Sequence, residues 1–390
     1  MRIVHLVPYY APAYAFGGVV RAAEGLCRAL ARRGHAVTAL TTDALDRAGG
    51  RAAPPDEIRD GVRVLRLPNR LPALRARLNL STPAGLQAAL GPLLAEADAL
   101  HCHEFRTVEN LLAAPLAARA GVPLALSPHG TLAHATGRSA LKRGWDALFG
   151  PALARRFIVV GSLTPQEADE ARALWAALGA ASPAQFVVIP NGVDPDDYAA
   201  LPDGAVFRAR WRLGDGPVVL FLGRLHARKG PRLLAQAFRA AAPAEARLVF
   251  AGPDEGEAAS IAALGDPRIV LTGYLGGAER LAALAAADLL ALPAVGEGLP
   301  MAALEGLAAG LPLVLSPGCG LPEAAQAGAA LEVPPAAEPL AAALRALLAD
   351  PGRRAAMGAA GRALARQRFT WDAAALQWEQ IYESLGAGHL

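Results

Sequence analysis

Short apolar runs of strand type alternate along the chain with segments of helical length. The segment GVVRAAEGLCRALARRG (18–34) has the spacing of an amphipathic helix and ends at a glycine. The strand-type runs of the first half are RIVHLV (2–7), HAVTALTT (35–42), GVRVLRLP (61–68), ALHCH (99–103), VPLALS (122–127), RFIVVG (156–161) and FVVIP (186–190). Strands that alternate with helices predict βαβ units and parallel sheets.

The second half repeats this rhythm more regularly. Its strand-type runs are VVLFLG (218–223), RLVFAG (247–252), RIVLTG (268–273), DLLALP (288–293) and PLVLS (312–316). The chain reads as helical from Asp350 onward, and Trp371 and Trp378 are expected to pack the last helix onto something larger. We therefore predict an α/β chain of two doubly wound, Rossmann-like domains, which face each other across a cleft. We place the domains at 1–185 and 186–368, and a C-terminal helix at 369–390.

The amino-acid composition limits which binding partners and which cellular compartment we expect for this protein. A length of 390 residues suits two domains, and a net charge of +3 lacks the dense basic clusters of a nucleic-acid binder. That charge is compatible with anionic small ligands or an anionic membrane surface. The distant Cys27, Cys102 and Cys319 form no disulfide framework, which favours a reducing cytosol. The N-terminus reads as a buried strand rather than a signal peptide, and no apolar stretch predicts a membrane span. We expect a cytoplasmic protein.

The stretch EGLPMAALE (297–305) follows a strand and leads into a helix. Backbone amides in such a turn can receive an anion, assisted by the N-terminus of the helix. Glu305 lies just over one turn into the helix, where a carboxylate can accept two ribose hydroxyls. Glu297 precedes the turn and can face a sugar beyond the phosphates. The alternative is a pair of ordinary solvated glutamates.

The stretch FLGRLHARKG (221–230) places three cations after another strand. Arg224, Arg228 and Lys229 at a strand's carboxyl end suit a pyrophosphate, since arginine can bind it bidentately and lysine acts as a point charge. A solvated basic loop is the alternative. YAFGGVVR (14–21) follows the first strand, and its paired glycines allow close backbone approach to a phosphate, although a plain turn is the more frequent meaning.

Histidines follow two other strands of the first half. His129 in SPHGTL (127–132) can face the cleft or serve a structural role. His101 and His103 in HCHEF share one side of an extended segment, but no second ligand pair supports a metal site there. We expect no metal, and His103 is a candidate for the acceptor side.

Taken together, these motifs resemble the retaining GT-B glycosyltransferases of family four, the "glycosyl transferases group 1" type. The resemblance rests on Gly-Gly after the first strand, HG late in the first domain, PNGVD (190–194) at the crossover, GRLHARKG and the Glu-x7-Glu pair, in this order. The motif SLTPQEADEARAL (162–174) and the final FTWDAAALQWEQIY (369–382) are also similar to this family. In the family, the first domain takes the acceptor, the second binds the nucleotide sugar, and the last helix crosses back to the first.

The resemblance implies a role for each matching residue. Gly17 and Gly18 would meet the donor phosphates through their backbone, and Arg224 and Lys229 would neutralise the pyrophosphate. Glu305 would hold the ribose. The remaining donor-binding residues would be Glu297 at the donor sugar, the turn residues Gly298, Leu299 and Met301 near the phosphates, and Leu275 in the base pocket.

The same resemblance names catalytic and acceptor residues. His129 would sit beside the reacting sugar carbon, and Glu297, Arg224 and Lys229 would complete the catalytic set. His103 and Arg21 would lie on the acceptor side. The reaction implied is transfer from a nucleoside-diphosphate sugar with retention of configuration, with the leaving group stabilised by cations and helix amides instead of a metal or other cofactor.

The acceptor implied by the resemblance is a glycan or lipid-linked glycan of bacterial surface-polysaccharide or exopolysaccharide synthesis. RSALKRGWDALFGPALARR (138–156) mixes basic, aromatic and aliphatic residues, which suits peripheral docking on the anionic inner face of a membrane or packing on its own domain. Loops 43–60 and 69–82 would help to choose the acceptor. The alternative functions are a GT-B sugar-nucleotide epimerase and a two-lobed binding protein; a dinucleotide oxidoreductase lacks its Gly-rich fingerprint.

Overall fold

The polypeptide folds into two compact units. The structure is a computed structural model that describes residues 1–46, 48–71, 73–74, 80–134, 138–180 and 184–386. The first unit comprises residues 1–191 and 371–390, and the second comprises residues 192–370. The boundary lies later than the sequence placed it, because the strand Gln185–Val188 pairs with the sheet of the first unit. Parts of the predicted acceptor loops (47, 72 and 75–79) and the last four residues of the predicted C-terminal helix lie outside the described residues.

The first unit is built on an eight-stranded sheet in the order β3-β4-β2-β1-β5-β6-β7-β8. Its strands are β1 (Arg2–Leu6), β2 (Ala36–Thr42), β3 (Asp56–Arg59), β4 (Val62–Leu67), β5 (Ala99–His103), β6 (Leu124–Ser127), β7 (Val159–Ser162) and β8 (Gln185–Val188). Neighbouring strands pair in parallel except β3 and β4. The antiparallel β3 falls where the sequence predicted a loop, since its charged residues have no strand pattern.

Helices cover the faces of this sheet, as its apolar central strands require. They are α1 (Gly18–Arg32), α2 (Leu86–Leu94), α3 (Val108–Ala120), α4 (Ser139–Ala154) and α5 (Pro165–Ala177), numbered among the described residues, together with the C-terminal helix Trp371–Gly386. That last helix lies against α1: Trp371 packs on Gly25, where an added Cβ would lie 2.2 Å from the indole. Trp378 packs in the same way on Gly161 of β7. Both tryptophans therefore anchor the last helix to the first unit.

The second unit has a six-stranded parallel sheet in the order β11-β10-β9-β12-β13-β14. Its strands are β9 (Val218–Leu222), β10 (Arg247–Ala251), β11 (Ile269–Gly273), β12 (Leu289–Leu292), β13 (Leu313–Leu315) and β14 (Ala330–Glu332). The helices described in this unit are α6 (Gly204–Arg210), α7 (Pro231–Ala241), α8 (Ala258–Ala262), α9 (Gly277–Ala286), α10 (Met301–Ala309), α11 (Pro322–Gln326), α12 (Ala337–Leu348) and α13 (Pro351–Arg368). The final helix is therefore α14 (Trp371–Gly386).

Each sheet reverses its strand order at one place. In the first unit the chain proceeds outward from β1 in one direction and from β5 in the other; in the second unit it does so from β9 and β12. Ligands of open parallel sheets bind at such points, beyond the carboxyl ends of the strands. The prediction of two doubly wound α/β domains is confirmed, and the two reversal points locate the candidate sites. In the described part of the chain, every helix is too short or too polar to cross a bilayer.

Candidate active site

Two loops of the second unit meet at its reversal point. β9 and β12 are neighbours in the sheet, so residues 223–230 and 293–300, which follow them, leave from the same edge. The N–H of Val295 donates to the carbonyl of Arg228 at 2.7 Å. The guanidinium of Arg228 donates in turn to the carbonyl of Gly296. These bonds join the two motifs that the sequence singled out.

Glycines allow the loops to approach this closely. Gly230 has a φ of +66°, and a Cβ there would lie 2.5 Å from the carbonyl oxygen of Pro293. Gly318, in the loop after β13, would place a Cβ 2.6 Å from the carbonyl oxygen of Ala294. Only a residue without a side chain fits between two backbones at this distance. Three loops are therefore packed together at the carboxyl edge of this sheet.

The predicted cations lie in this loop cluster, and two of them, Lys229 and Arg224, each face a carboxylate. The Nζ of Lys229 lies 3.0 Å from Oε2 of Glu297. Arg224 donates to both carboxylate oxygens of Glu255, at 3.0 and 2.8 Å. The side chains of Lys229 and Glu297 are mostly buried, at 11% and 18% exposed. The structure thus brings together three of the four predicted catalytic residues and adds Glu255.

The charge state of Glu297 follows from these neighbours. Burial by itself would raise the pKa of its carboxyl group. The charge and hydrogen bond of Lys229, together with the charges of Arg224 and Arg228, outweigh burial and hold the pKa of Glu297 below its ordinary value. Glu297 is consequently an anion at neutral pH, surrounded by cations that a bound anion can share.

The helix that follows Glu297 begins without a side-chain cap. Pro300 occupies the N-cap of α10, and no side chain accepts from the first N–H groups of the helix. Such an N-terminus attracts anions, and it is close in sequence to the predicted phosphate contacts Gly298, Leu299 and Met301. Leu299 and Met301 are buried, so any contact from this turn comes through the backbone.

Glu305 has a protein partner that the sequence did not predict. Its carboxylate is buried in α10 and forms an ion pair with Arg280 of α9. A ribose at this carboxylate would share it with the guanidinium. Leu275, the predicted base-pocket residue, is buried just before α9, and Tyr274 beside it is exposed. The structure gives no further contact that assigns Leu275 a ligand.

The reversal point of the first unit carries the predicted Gly-Gly turn. Gly17, at a φ of +106°, is the N-cap of α1, and Gly18 is its first residue. A small depression lies beside this turn, lined by Phe16 of the turn and by residues that follow both central strands, including Tyr9 and Glu104. Arg21, predicted on the acceptor side, lies in α1 with its guanidinium carbon 4.5 Å from the centroid of the Tyr14 ring.

His129 follows β6, one strand beyond β5 in the same sheet. Its backbone has a φ of +55°, which is uncommon for a residue with a side chain. The N–H of the next residue, Gly130, donates to the buried carboxylate of Glu167 in α5, which also accepts from Leu163. Glu167 thereby anchors the turn that presents His129.

His103 lies behind His129 instead of at the surface. Its side chain is fully buried, and its Nδ1 lies 2.8 Å from Nε2 of His129. The prediction that His103 lines the acceptor side does not agree with this burial, because the side chain lies in the central strand β5 and contacts His129.

A third buried histidine, His5 of β1, completes a cluster with His101 and His103. One nitrogen of each ring lies within 4.8 Å of the others, which is a spacing compatible with a metal site. Both nitrogens of His101 are already hydrogen-bonded, to Tyr382 at 2.5 Å and Ser127 at 2.8 Å. The rings of His101 and His103 stack in parallel planes 2° apart. A metal would have to displace these bonds, so the arrangement fits hydrogen bonding better than coordination.

Sequence reasoning missed three residues of these sites. Arg280 and Glu255 resemble ordinary surface charges in the sequence, and only the fold reveals their partners. His5 did leave a signal: a histidine within the apolar run RIVHLV, in the first strand of a parallel sheet, is a buried polar group and requires a hydrogen-bond partner.

Comparison with known proteins agrees with this geometry. A family model described as "Glycosyl transferase 4-like domain" matches residues 17–192, and one described as "Glycosyl transferases group 1" matches residues 216–350. A D-inositol 3-phosphate glycosyltransferase of Xylanimonas cellulosilytica is 33% identical over 98% of this chain and 95% of its own length. The glycogen synthase of Mycobacterium tuberculosis is 30% identical over 98% of this chain and 94% of its own length.

Solved structures show the same fold at lower identity. Sucrose-phosphate synthase of Thermosynechococcus elongatus superposes with a TM-score of 0.76 at 22% identity, with all of both chains covered. Anabaena HepE in complex with UDP-glucose superposes with a TM-score of 0.76 at 20% identity, over 98% of this chain and all of that one.

Two parallel-sheet units with loop clusters at their reversal points, together with these relatives, define a GT-B glycosyltransferase that uses nucleotide sugars. The fold of the two sheets and the order of the motifs both indicate this class, and neither indication depends on a single residue. The chain belongs to the glycosyl transferases group 1 family.

Proposed function

We propose that this enzyme transfers a hexosyl group from a nucleoside-diphosphate sugar to a hydroxyl of a glycan or lipid-linked glycan, with retention of configuration and without a metal. The observation that carries the proposal is the cluster of Arg224, Lys229 and Glu297 at the reversal point of the second unit. Cations held beside the uncapped N-terminus of α10 provide what a departing diphosphate requires.

The proposed chemistry assigns each charge a task. Lys229 and Arg224 bind the diphosphate and stabilise the negative charge that grows on it as the sugar departs. Lys229 then exchanges part of its contact with Glu297 for the phosphate oxygens, which leaves the Glu297 carboxylate beside the positively charged sugar ring. Glu305 holds the ribose while Arg280 fixes the orientation of its carboxylate. Retention of configuration follows from the family resemblance and not from this geometry.

The relatives bear on the acceptor. The similar proteins include D-inositol 3-phosphate glycosyltransferases and phosphatidylinositol monomannoside mannosyltransferases, and none of these names refers to exopolysaccharide. These names add a polyol to the acceptors that we propose, beside a glycan or lipid-linked glycan of which surface polysaccharide is one member. The epimerase alternative is not favoured, because the relatives named above are transferases or synthases.

The donor base can be identified by thermal unfolding with GDP, UDP, ADP and CDP, each in the presence of a chelator. We expect one nucleotide to stabilise the protein by about 2.7 kcal/mol at 100 times its dissociation constant. The stabilisation should disappear when both Arg224 and Lys229 are replaced by alanine. Stabilisation that requires a divalent cation, or that survives this double substitution, would contradict the proposed diphosphate site.

A membrane-facing role for α4 also forms part of the proposal. Its inward face buries Asp146, Gly150 and Leu153, whereas Leu148 on its outward face is 74% exposed. Phe149 is partly exposed beside it, and α4 carries basic residues next to these apolar ones. An exposed apolar and basic helix face suits peripheral contact with an anionic bilayer.

Vesicle co-sedimentation tests this contact. We expect the protein to bind vesicles of phosphatidylglycerol and not of phosphatidylcholine, and Leu148→Glu to weaken binding at least tenfold, because one buried leucine contributes about 1.5–3 kcal/mol. Ile58→Glu is the matched control, since Ile58 is 71% exposed on β3 of the same unit. Equal binding by wild type and Leu148→Glu would show that α4 does not contact the membrane.

A further inference from the structure

Three histidines of the first unit form one hydrogen-bonded chain. Nδ1 of His5 lies 3.0 Å from Nε2 of His103, and Nδ1 of His103 lies 2.8 Å from Nε2 of His129. The rings come from β1, β5 and the turn after β6, which are neighbours across the reversal point of the sheet. Within the described residues, the two nitrogens at the ends of this chain, Nε2 of His5 and Nδ1 of His129, are buried and have no hydrogen-bond partner.

All three rings are neutral near physiological pH. Burial lowers the pKa of His5 to about 3 and that of His129 to about 4. The pKa of His103 also lies well below its usual value, because of burial first and then the neighbouring histidines. A neutral imidazole carries one N–H and one bare nitrogen, so each ring can donate at one end only.

The pattern of bonds then couples the three tautomers. If His5 carries its proton on Nδ1, it donates to Nε2 of His103, whose proton must be on Nδ1. His103 then donates to Nε2 of His129, whose proton must also be on Nδ1. If His5 carries its proton on Nε2, the same reasoning places every proton on Nε2. A mixed state sets two N–H groups or two lone pairs against each other.

We propose that His103 and His5 are positioning residues that hold His129 in its Nδ1–H tautomer, so that His129 donates a hydrogen bond from Nδ1 to an oxygen of the bound sugar nucleotide or acceptor. Neither residue touches substrate. The contact with substrate rests on the proposed transferase function and on the place beside the reacting sugar carbon that the family resemblance implies for His129, whereas the coupling of the three rings stands on the structure of the first unit alone.

The choice between the two states follows from where each leaves an unpaired N–H. The Nε2–H state leaves it on His5, which is fully buried within the sheet. The Nδ1–H state leaves it on Nδ1 of His129, which is also buried here but belongs to the one residue of the three that is partly exposed. Orphaned buried N–H groups are rare in proteins, and only the one at the His129 end lies where a bound ligand can pair with it after a small movement of the ring, so the second state is favoured. The Nδ1–H form is also the tautomer that a free imidazole populates less. A spectrum that shows it therefore distinguishes a constrained ring from an unconstrained one.

Nitrogen-15 spectra of the histidine-labelled full-length protein test the coupling without any turnover. At neutral pH we expect His5, His103 and His129 to be neutral and to carry their protons on Nδ1, with resonances assigned through single substitutions. Different tautomers among the three rings, a charged ring, or protons on Nε2 would overturn the proposal. The tautomers are read from the wild-type spectrum, and the single substitutions serve only to assign its resonances.

Replacement of the middle ring gives the second test. In His103→Phe, we expect His129 to return to the Nε2–H tautomer and kcat to fall about tenfold, the worth of one misdirected hydrogen bond, with a smaller change in KM. Tyr382→Phe is the matched control, because it removes a buried bond to His101 on the same sheet and leaves the chain of three intact. An unchanged His129 tautomer in His103→Phe would refute the coupling. A changed tautomer with unchanged kcat would retain the coupling and refute the contact of His129 with substrate.

Discussion

Replacement of Lys229 by alanine is expected to lower kcat by about 10²- to 10³-fold, the usual loss when one preorganised group that stabilises growing charge is removed. Lys229 lies at the carboxyl end of β9 with its ammonium 3.0 Å from Glu297. As the sugar leaves, negative charge grows on the diphosphate, and a mostly buried ammonium acts on it with little screening by water. The measurement is steady-state transfer with the donor identified by the nucleotide screen.

Loss of stability must be separated from loss of chemistry in this variant. Lys229→Ala removes the ion-pair partner of the buried Glu297 carboxylate, and this loss lowers the free energy of unfolding. The double variant Lys229→Met/Glu297→Gln removes both charges and should recover stability while remaining inactive. Arg210→Ala, which breaks an exposed ion pair with Glu279 in the same unit, should retain full activity. Transfer by Lys229→Ala at the wild-type rate would remove Lys229 from the mechanism.

Replacement of Trp378 by alanine is expected to destabilise the first unit by about 3–5 kcal/mol, the cost of a large aromatic side chain removed from a core. The indole is 2% exposed, packs on Gly161 of β7, and lies 4.3 Å from the ring of His101 between centroids. Trp378 thereby joins α14 to the middle of the sheet. Chemical denaturation followed by circular dichroism measures the loss.

A substitution on the other side of the same contact and a control substitution on the same helix test this prediction further. Gly161→Ala should also destabilise the first unit, because the added Cβ would lie 2.3 Å from the Trp378 indole and the ring must move. Leu376→Ala removes a large apolar side chain that is 42% exposed on the same helix and should cost far less. Equal losses for Trp378→Ala and Leu376→Ala would show that α14 is not anchored through its tryptophans.

The fold was predictable where local pattern and tertiary packing agree. The runs at 2–7, 35–42 and 61–68 became β1, β2 and β4 with ends shifted by a residue or so, since mostly buried strands leave an apolar run and the half-buried β4 leaves an alternating pattern. The strand β3 was missed because its residues, DEIR, are mostly charged and pair only at the sheet edge. The first unit extends to residue 191, beyond the 185 at which we placed its end, because Gln185–Val188 is a short edge strand whose sheet cannot be read from its residues.

The candidate site was predictable through its motifs and not through its contacts. The positions of Arg224, Lys229 and Glu297 at the carboxyl ends of two strands of the second half indicated one edge of one sheet, and the ion pair of Lys229 with Glu297 agrees with that inference. The pairing of Glu305 with Arg280 had no signal, because the two residues come from different helices of a parallel sheet domain.

The sequence by itself determined the class of this protein: its period of strands and helices, its glycines and its ordered motifs identify two doubly wound units and a nucleotide-sugar transferase. These features are local, because each strand, turn or motif is a contiguous segment of about ten residues. Only the tertiary structure decided that His5, His103 and His129 form one chain and that Glu305 pairs with Arg280. Contacts of this kind join residues far apart in the sequence, and they exist only once strand order and register place those residues side by side.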